Sequence, residues 1–438
     1  MSRSGQDGFK GLKERYEDRV GDDFLPGVGH LYAMYDGHGG SNAADWLKAE
    51  LGGFVASAVK KRIGDTFESQ LQQRRLALQR KAADSARSSG KAPRLTEAVR
   101  TQLRDIEACA IEADAALAEL RALSYAPPPE LVDVRDALAD RRKWLDTASR
   151  KRKGGRDASS ALQAALAERA TAEAAALKAS EAAGKSATVD VSDELWKLSL
   201  DDAFRAADDA FLELAAKKAW DDGTTACCAI VVGDGQSSVP TKIVMANCGD
   251  SRAILCRGRR GLRLSTDHKP NNPVEKRRIE KLGGYVVEVN GVWRVTSAAG
   301  CGFGMSKNKS LYLSVARAVG DRQLKHPTPV VTCAPEVKVH SLDSLSDFFL
   351  VLVCDGITDV LDDTAVVAIA AQHFGDPNEA ARQVVRAAFT KGAADNVTAL
   401  VVEFPWATSA TVSKAFAAAD EDSAPPKKEA ADAVDMFA

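Results

Sequence analysis

Three short apolar runs follow one another with only turns between them: Thr225-Ala-Cys-Cys-Ala-Ile-Val-Val232, Lys242-Ile-Val-Met-Ala-Asn247 and Arg252-Ala-Ile-Leu-Cys256. The separators carry Gly and Asp, and none is long enough for a helix. Parallel neighbours need a crossover of a dozen residues or more, so this spacing restricts the runs to antiparallel meander pairing. His30-Leu-Tyr-Ala-Met-Tyr35, Phe348-Phe-Leu-Val-Leu-Val-Cys354 and Val397-Thr-Ala-Leu-Val-Val-Glu-Phe404 are further strands, apolar enough to be buried on both faces.

Helices are expected around these strands. Ser41 is placed to cap one running through Trp46 and Leu47. Leu195, Leu198, Ala203, Ala206, Phe211 and Leu214 suit an amphipathic helix that starts near Asp193. Pro273 to Leu282 reads as a helix with Pro near its start and Gly283-Gly284 at its end, and Asn378 to Thr390 as another. Residues 66–192 differ from the rest: rich in Ala, Arg, Glu, Gln and Lys, poor in strand signals, broken once by Pro127-Pro-Pro129. They are expected to be an inserted helical or partly disordered segment. Their basic clusters, Arg141-Arg-Lys143 and Arg150-Lys-Arg-Lys153, offer a docking surface for a protein partner, acidic lipid or nucleic acid, with a solvated helical face as the commoner explanation. From about 407 the chain is Ala-, Ser- and charge-rich with Pro425-Pro426, and disorder is expected.

Composition narrows the function classes. The 438 residues carry 59 Lys+Arg against 61 Asp+Glu, a formal charge of −2, which argues against a polycation that coats nucleic acid. No basic-aromatic interleaving supports nucleic-acid binding either. The six His include no pair at zinc-helix spacing, and the eight Cys form no CxxC pair, so reduced, buried thiols are expected. Met1 to Gly8 holds no apolar run of signal length, and no run of about 18 apolar residues predicts a membrane span. A cytoplasmic or nuclear monomer is the expectation.

The acidic residues carry the chemistry. Glu17-Asp18, Asp36, Asp250, Asp355 and Asp395 each stand at the end or start of a strand-like run, beside Gly or another turn residue. One Asp-Gly is an ordinary turn. Several strand-end carboxylates brought together make an oxygen-rich pocket that needs cations or protons to relieve repulsion. Oxygen ligands without His or Cys favour Mg²⁺ or Mn²⁺ over Zn²⁺.

Eight motifs in order carry a resemblance: Tyr16-Glu17-Asp18, Tyr35-Asp36-Gly37-His38-Gly39-Gly40, Asp222-Gly223-Thr224-Thr225-Ala226, Asn247-Cys248-Gly249-Asp250-Ser251-Arg252, Asp267-His268-Lys269-Pro270, Ala316-Arg317-Ala318-Val319-Gly320-Asp321, Cys354-Asp355-Gly356 and Asp395-Asn396-Val397-Thr398. Together they resemble the type 2C, metal-dependent serine/threonine protein phosphatases over roughly residues 8–65 and 193–404. The resemblance implies an α+β fold, a four-layer α-β-β-α sandwich of two antiparallel sheets flanked by helices, here with a large helical insertion. It implies one catalytic domain over 1–406, interrupted by 66–192, with an extended flap at 292–313 and a tail at 407–438. It further implies two Mn²⁺ or Mg²⁺ ions bridged by Asp36, with Asp355 and Asp395 on the first. The Gly37 carbonyl, Glu17 and Asp18 would serve the second, and Asp250 would help hold a third, weaker ion. The implied reaction is hydrolysis of phosphoserine or phosphothreonine in proteins by in-line attack of a metal-bridging water, without a phosphoenzyme. His38 would be the general acid, and Arg317 would join the substrate contacts.

The chain departs from that pattern in places. Lys13 stands where the family usually has a phosphate-gripping Arg, and Arg15 is the nearby substitute. Lys keeps the charge but loses the bidentate fork. Asp222 replaces a common Ser, expected to be of little consequence, and Ile357-Thr358-Asp359 follows Asp355-Gly356 where a Trp is frequent. Val292 to Leu313 is longer than usual, with Gly300-Cys-Gly-Phe-Gly304, Lys307 and Lys309 either suited to acidic phosphosubstrates or part of a disordered loop without a role. A non-catalytic scaffold would have lost a metal aspartate, yet Asp36, Asp355 and Asp395 are all present.

Overall fold

The computed structural model describes residues 2–63, 191–233, 239–297 and 312–422, with side chains to 417. The expected insertion therefore lies outside the described residues, apart from Val191 and Ser192, as does the Gly300–Lys309 part of the flap. In chain order, β1 (Arg3–Phe9), β2 (Arg19–Leu25), β3 (Gly29–Tyr35) and β4 (Gly37–His38) precede a helix over 42–63. After the Asp193–Lys218 helix come β5 (Gly223–Thr224), β6 (Ala226–Gly233), β7 (Pro240–Cys248), β8 (Arg252–Arg257) and β9 (Arg260–Arg263). The Pro273–Lys281 helix leads to β10 (Tyr285–Val289), β11 (Val292–Thr296), β12 (Val319–Gly320), β13 (Glu336–Ser341) and β14 (Asp347–Val353). Helices Asp363–Ala371 and Pro377–Thr390, β15 (Val397–Glu403) and helix Ser409–Asp422 complete the described chain.

Two five-stranded antiparallel sheets result, in the orders β13-β7-β6-β3-β2 and β1-β15-β14-β8-β9. Their strands are apolar on both faces because each face has its own layer to fill. On β6, Cys227, Ala229 and Val231 point between the sheets, where they join Leu350, Leu352, Leu400 and Val402. The alternate residues Ala226, Cys228, Ile230 and Val232 face the 42–63 and Asp193–Lys218 helices through Leu47, Leu51, Trp196, Leu200 and Phe204. On the other sheet, Phe349, Val351 and Val353 turn outward to Val366, Val367, Val384 and Val385 of the helices that cover it. That is the expected four-layer α-β-β-α sandwich. Truncating one of these buried side chains to Ala would cost about 2–5 kcal/mol.

Four local expectations are corrected. The run β6-β7-β8 is not one meander: β7 pairs with β6 and β13, whereas β8 pairs with β14 and β9, so the 249–251 turn crosses between sheets. The Asp193–Lys218 helix buries Trp196, Leu200, Phe204 and Phe211, while Leu198 is exposed. The bulkiest rings choose the face, and they carry Ser199 and Asp208 inward with them. Val292–Thr296, expected as the start of a flap loop, is instead a strand that pairs with β10 and bridges to Leu313 through Val295. The stretch after 407 is helical over Ser409–Asp422, because Val412 is fully buried against the outer helices and Phe416 packs beside it. Residues 423–438 lie outside the described part.

Candidate active site

Register places the strand-end carboxylates at one end of the sandwich. Tyr35, closing β3, lies opposite Arg19, opening β2, so Asp36 and Asp18 are neighbours across that pair. Val353, closing β14, lies opposite Arg252, opening β8, which sets Asp355 beside Asp250. Asp395 and Asn396 lead into β15 at the same end. Gly356 allows this close approach: a Cβ there would stand 2.0 Å from the Asn396 carbonyl oxygen. At Gly37 a Cβ would stand 2.7 Å from the Glu17 carbonyl oxygen, so the turn after Asp36 can lie flat on the Glu17-Asp18 pair.

Electrostatics confirm the crowding. Burial, then the charges of Asp18, Asp355, Asp250 and Asp395, push the Asp36 carboxyl well above its ordinary pKa. Burial raises Asp18 to about 6, and burial together with Asp355 raises Asp250 to about 7. Asp18 accepts a hydrogen bond on Oδ2 from Thr398 Oγ1, while its buried Oδ1 has no partner. Two lysines supply positive charge. Lys269 Nζ stands 2.5 Å from Asp250 Oδ2 and 3.1 Å from Asp355 Oδ2. Lys13 Nζ stands 2.9 Å from Asp395 Oδ2.

This donor set fits a hard divalent cation. It is all oxygen, it carries more carboxylates than ammonium groups, and it holds an unpartnered buried oxygen at Asp18. The arrangement is open: among the described residues, no group of three or more His, Cys, Asp or Glu is already closed around a point that could hold a metal ion.

His38 lies on β4, beside this cluster. Its Nε2 is 2.8 Å and 3.0 Å from the two carboxylate oxygens of Asp321. Burial works against a charged ring, but Asp321 outweighs it and raises the pKa above the usual His value. An imidazolium held at a site rim is equipped to donate a proton.

The other expected residues are distributed unevenly. Lys13 reaches the cluster and is half exposed there. Arg15 is exposed, and what ties it down is its backbone: its carbonyl accepts from Asn396 Nδ2 at 3.0 Å. Arg317, expected at the substrate, is committed elsewhere. Its Nε and NH2 groups donate to Glu275 Oε1 and its NH1 to the Ala334 carbonyl, so its fork is used inside the fold. Asp222 is more than a turn residue: its Oδ2 accepts from the Ala43 backbone N–H at 2.8 Å and so caps the 42–63 helix, the task expected of Ser41.

Sequence reasoning missed three residues. Asp321 and Lys269 lie inside motifs already singled out, yet their partners come from distant strands. Asn396 accepts from the Glu17 N–H at 2.7 Å and donates to the Lys10 and Arg15 carbonyls, so it holds the loop that delivers Lys13 and Glu17. The six described cysteines are free thiols, five of them buried, as expected. Among the described residues no helix is long and apolar enough to cross a membrane.

Comparisons with known proteins agree with this geometry. The chain is 37% identical over 203 residues to "Probable protein phosphatase 2C 59" of Arabidopsis thaliana, covering 46% of this chain and 57% of that protein. It is 36% identical over 208 residues to "Probable protein phosphatase 2C 69" of the same plant, covering 48% and 51%. The chain thus spans little more than half the length of these relatives. The crystal structure of serine-threonine phosphatase 2C from Toxoplasma gondii shares the fold, with a TM-score of 0.55 at 16% identity over 92% of this chain and 95% of that one. The family model for protein phosphatase 2C matches residues 132–397, which include Asp250, Lys269, Asp355 and Asp395, while Asp36 and His38 join them through the pairing of β3 with β6. With more than half of its residues matched by that model, the chain belongs to the protein phosphatase 2C family.

Proposed function

We propose that the chain is a Mn²⁺- or Mg²⁺-dependent phosphatase that hydrolyses phosphoserine and phosphothreonine in proteins. One observation carries the reading: Asp36 is a half-buried carboxyl encircled by the charges of Asp18, Asp355, Asp250 and Asp395, with the His38–Asp321 pair at its rim. Such a concentration of negative charge is stable only with cations to balance it.

Asp36, Asp355 and Asp395 would hold one ion, and Asp36, Glu17, Asp18 and the Gly37 carbonyl the other, with Asp250 near a third, weaker position. Bound there, divalent cations would neutralise the phosphoryl oxygens and make a water nucleophilic at neutral pH. The chain's own residues do the rest. Lys13, on a loop held by Asn396 and paired with Asp395, would meet a phosphate oxygen with its ammonium. His38, whose charged form Asp321 favours, would give its proton to the departing Ser or Thr oxygen. No group on the protein is required to carry the phosphoryl in transit.

A single catalytic domain spanning 1–406 is supported by sheet topology, since each sheet combines strands from before 64 and after 190. A scaffold that binds phosphoproteins without cleaving them is the rival. The test is hydrolysis of a small aryl phosphate with and without Mn²⁺, in the natural protein and in Asp36→Ala. Turnover that needs both Mn²⁺ and Asp36 is expected; turnover indifferent to both would refute the enzyme reading.

A further inference from the structure

Lys269 is anchored at its root, and its ion-paired head is partly exposed to solvent. The preceding residue, His268, is tied to the turn that carries Asp250: its backbone N–H donates to the Gly249 carbonyl at 3.0 Å, and its Nδ1 accepts from the Gly249 N–H at 3.2 Å. Burial, together with the charge of Arg317, lowers the His268 pKa to about 4, so the ring is a neutral acceptor. The Lys269 side chain retains 34% of its exposure, while that of Asp250 retains 2%. The ammonium can therefore withdraw towards solvent without unfolding its support.

Its present position has a chemical consequence. Nζ engages Oδ2 of Asp250 and Oδ2 of Asp355 together. A divalent cation at the same place would need those oxygens at about 2.0–2.6 Å and would be repelled by an ammonium alongside. We propose that Lys269 is a tethered counter-ion that competes with a divalent cation for the Asp250–Asp355 pair, so that this position fills only when the ammonium withdraws. The inference rests on the metal-dependent reading above and adds a built-in regulator to it. Among the described residues Lys13 is the other ammonium paired with the cluster, and it holds a single carboxylate, Asp395. The competition is thus confined to one position. If the ammonium is seated about nine times in ten, the apparent dissociation constant there is raised about tenfold.

The test is calorimetric titration of the full chain with Mn²⁺, in the natural protein, Lys269→Met and Lys269→Arg, alongside thermal unfolding in EDTA. Lys269→Met, similar in length and uncharged, is expected to bind one Mn²⁺ about tenfold more tightly, with the other ions unchanged. Without metal it should unfold at a lower temperature than the natural protein, because two carboxylates have lost their counter-ion. Lys269→Arg, which keeps the charge, should show no tightening. Equal Mn²⁺ affinity at every position in Lys269→Met and the natural protein overturns the proposal, as does a tightened site in Lys269→Arg. A natural protein that takes up no Mn²⁺ at all is a different result, and it would sink the metal reading itself. Should Lys269→Met fail to fold without metal, Lys269→Gln, also uncharged, takes its place with the same expected tightening and the same overturning result.

Discussion

Of the lysines that pair with carboxylates, Lys325 and Lys269 have opposite surroundings. Lys325 and Asp208 form a closed pair: the contact is 2.5 Å and both side chains are almost fully buried. Lys325 Nζ also donates to the Ala318 carbonyl, and Asp208 Oδ1 accepts from the Gly320 N–H, so each charge is answered. Lys269 stands in an open cluster where carboxylates outnumber ammonium groups. The closed pair is architecture: it pins the segment from which Asp321 reaches His38. The open cluster carries an excess of charge that the fold alone does not balance, and that excess is what a ligand can exploit. Local charge balance, more than burial, separates structural ions from working ones.

The sharpest way to break the contrast is to neutralise one member on each side. Lys325→Ala leaves Asp208 buried and uncompensated, and should lower unfolding free energy in urea by about 3–5 kcal/mol. Asp36→Asn should do the reverse in metal-free protein. Removing the most crowded charge is expected to raise stability by about 1–2 kcal/mol, seen as a melting temperature about 2–4 °C higher. The same variant should lose Mn²⁺-dependent hydrolysis. A fall in metal-free stability for Asp36→Asn would show that the cluster is already balanced. The smallest effect belongs to Asp222, a carboxylate that works neither as ion pair nor as cluster member. Asp222→Ala should destabilise by about 1 kcal/mol through loss of the cap on the 42–63 helix, read from chemical denaturation. No change there would mean that Ser41 can take over as cap.

Legibility in the sequence followed how local the cause was. Strands such as β6, β14 and β15 were plain because burial on both faces leaves unbroken apolar runs. The carboxylates of the cluster were found because each shares a turn with its strand end. What stayed hidden depended on partners far along the chain. Asp222 looked like a turn residue because the amide that it caps, on Ala43, is 179 positions earlier. Asp208 on a buried helix face finds its counter-charge in Lys325, 117 residues away. Arg317 looked free for substrate because Glu275, which claims its fork, lies in a helix 42 residues away. The crossing between β7 and β8 was invisible since a turn within a sheet and a turn between sheets use the same residues.

The pairing of β1 with β15 bears on how such a protein is made. Arg3 lies opposite Glu403 in that ladder, and the two also form an ion pair. On a ribosome β1 emerges before its partner, which is synthesised about four hundred residues later. Until then one sheet lacks its second strand, and Lys13 has no Asp395 to meet. A nascent chain therefore carries an incomplete carboxylate cluster until β15 has been made. The cluster is completed only once the final strand has docked, which would keep unfinished chains inactive.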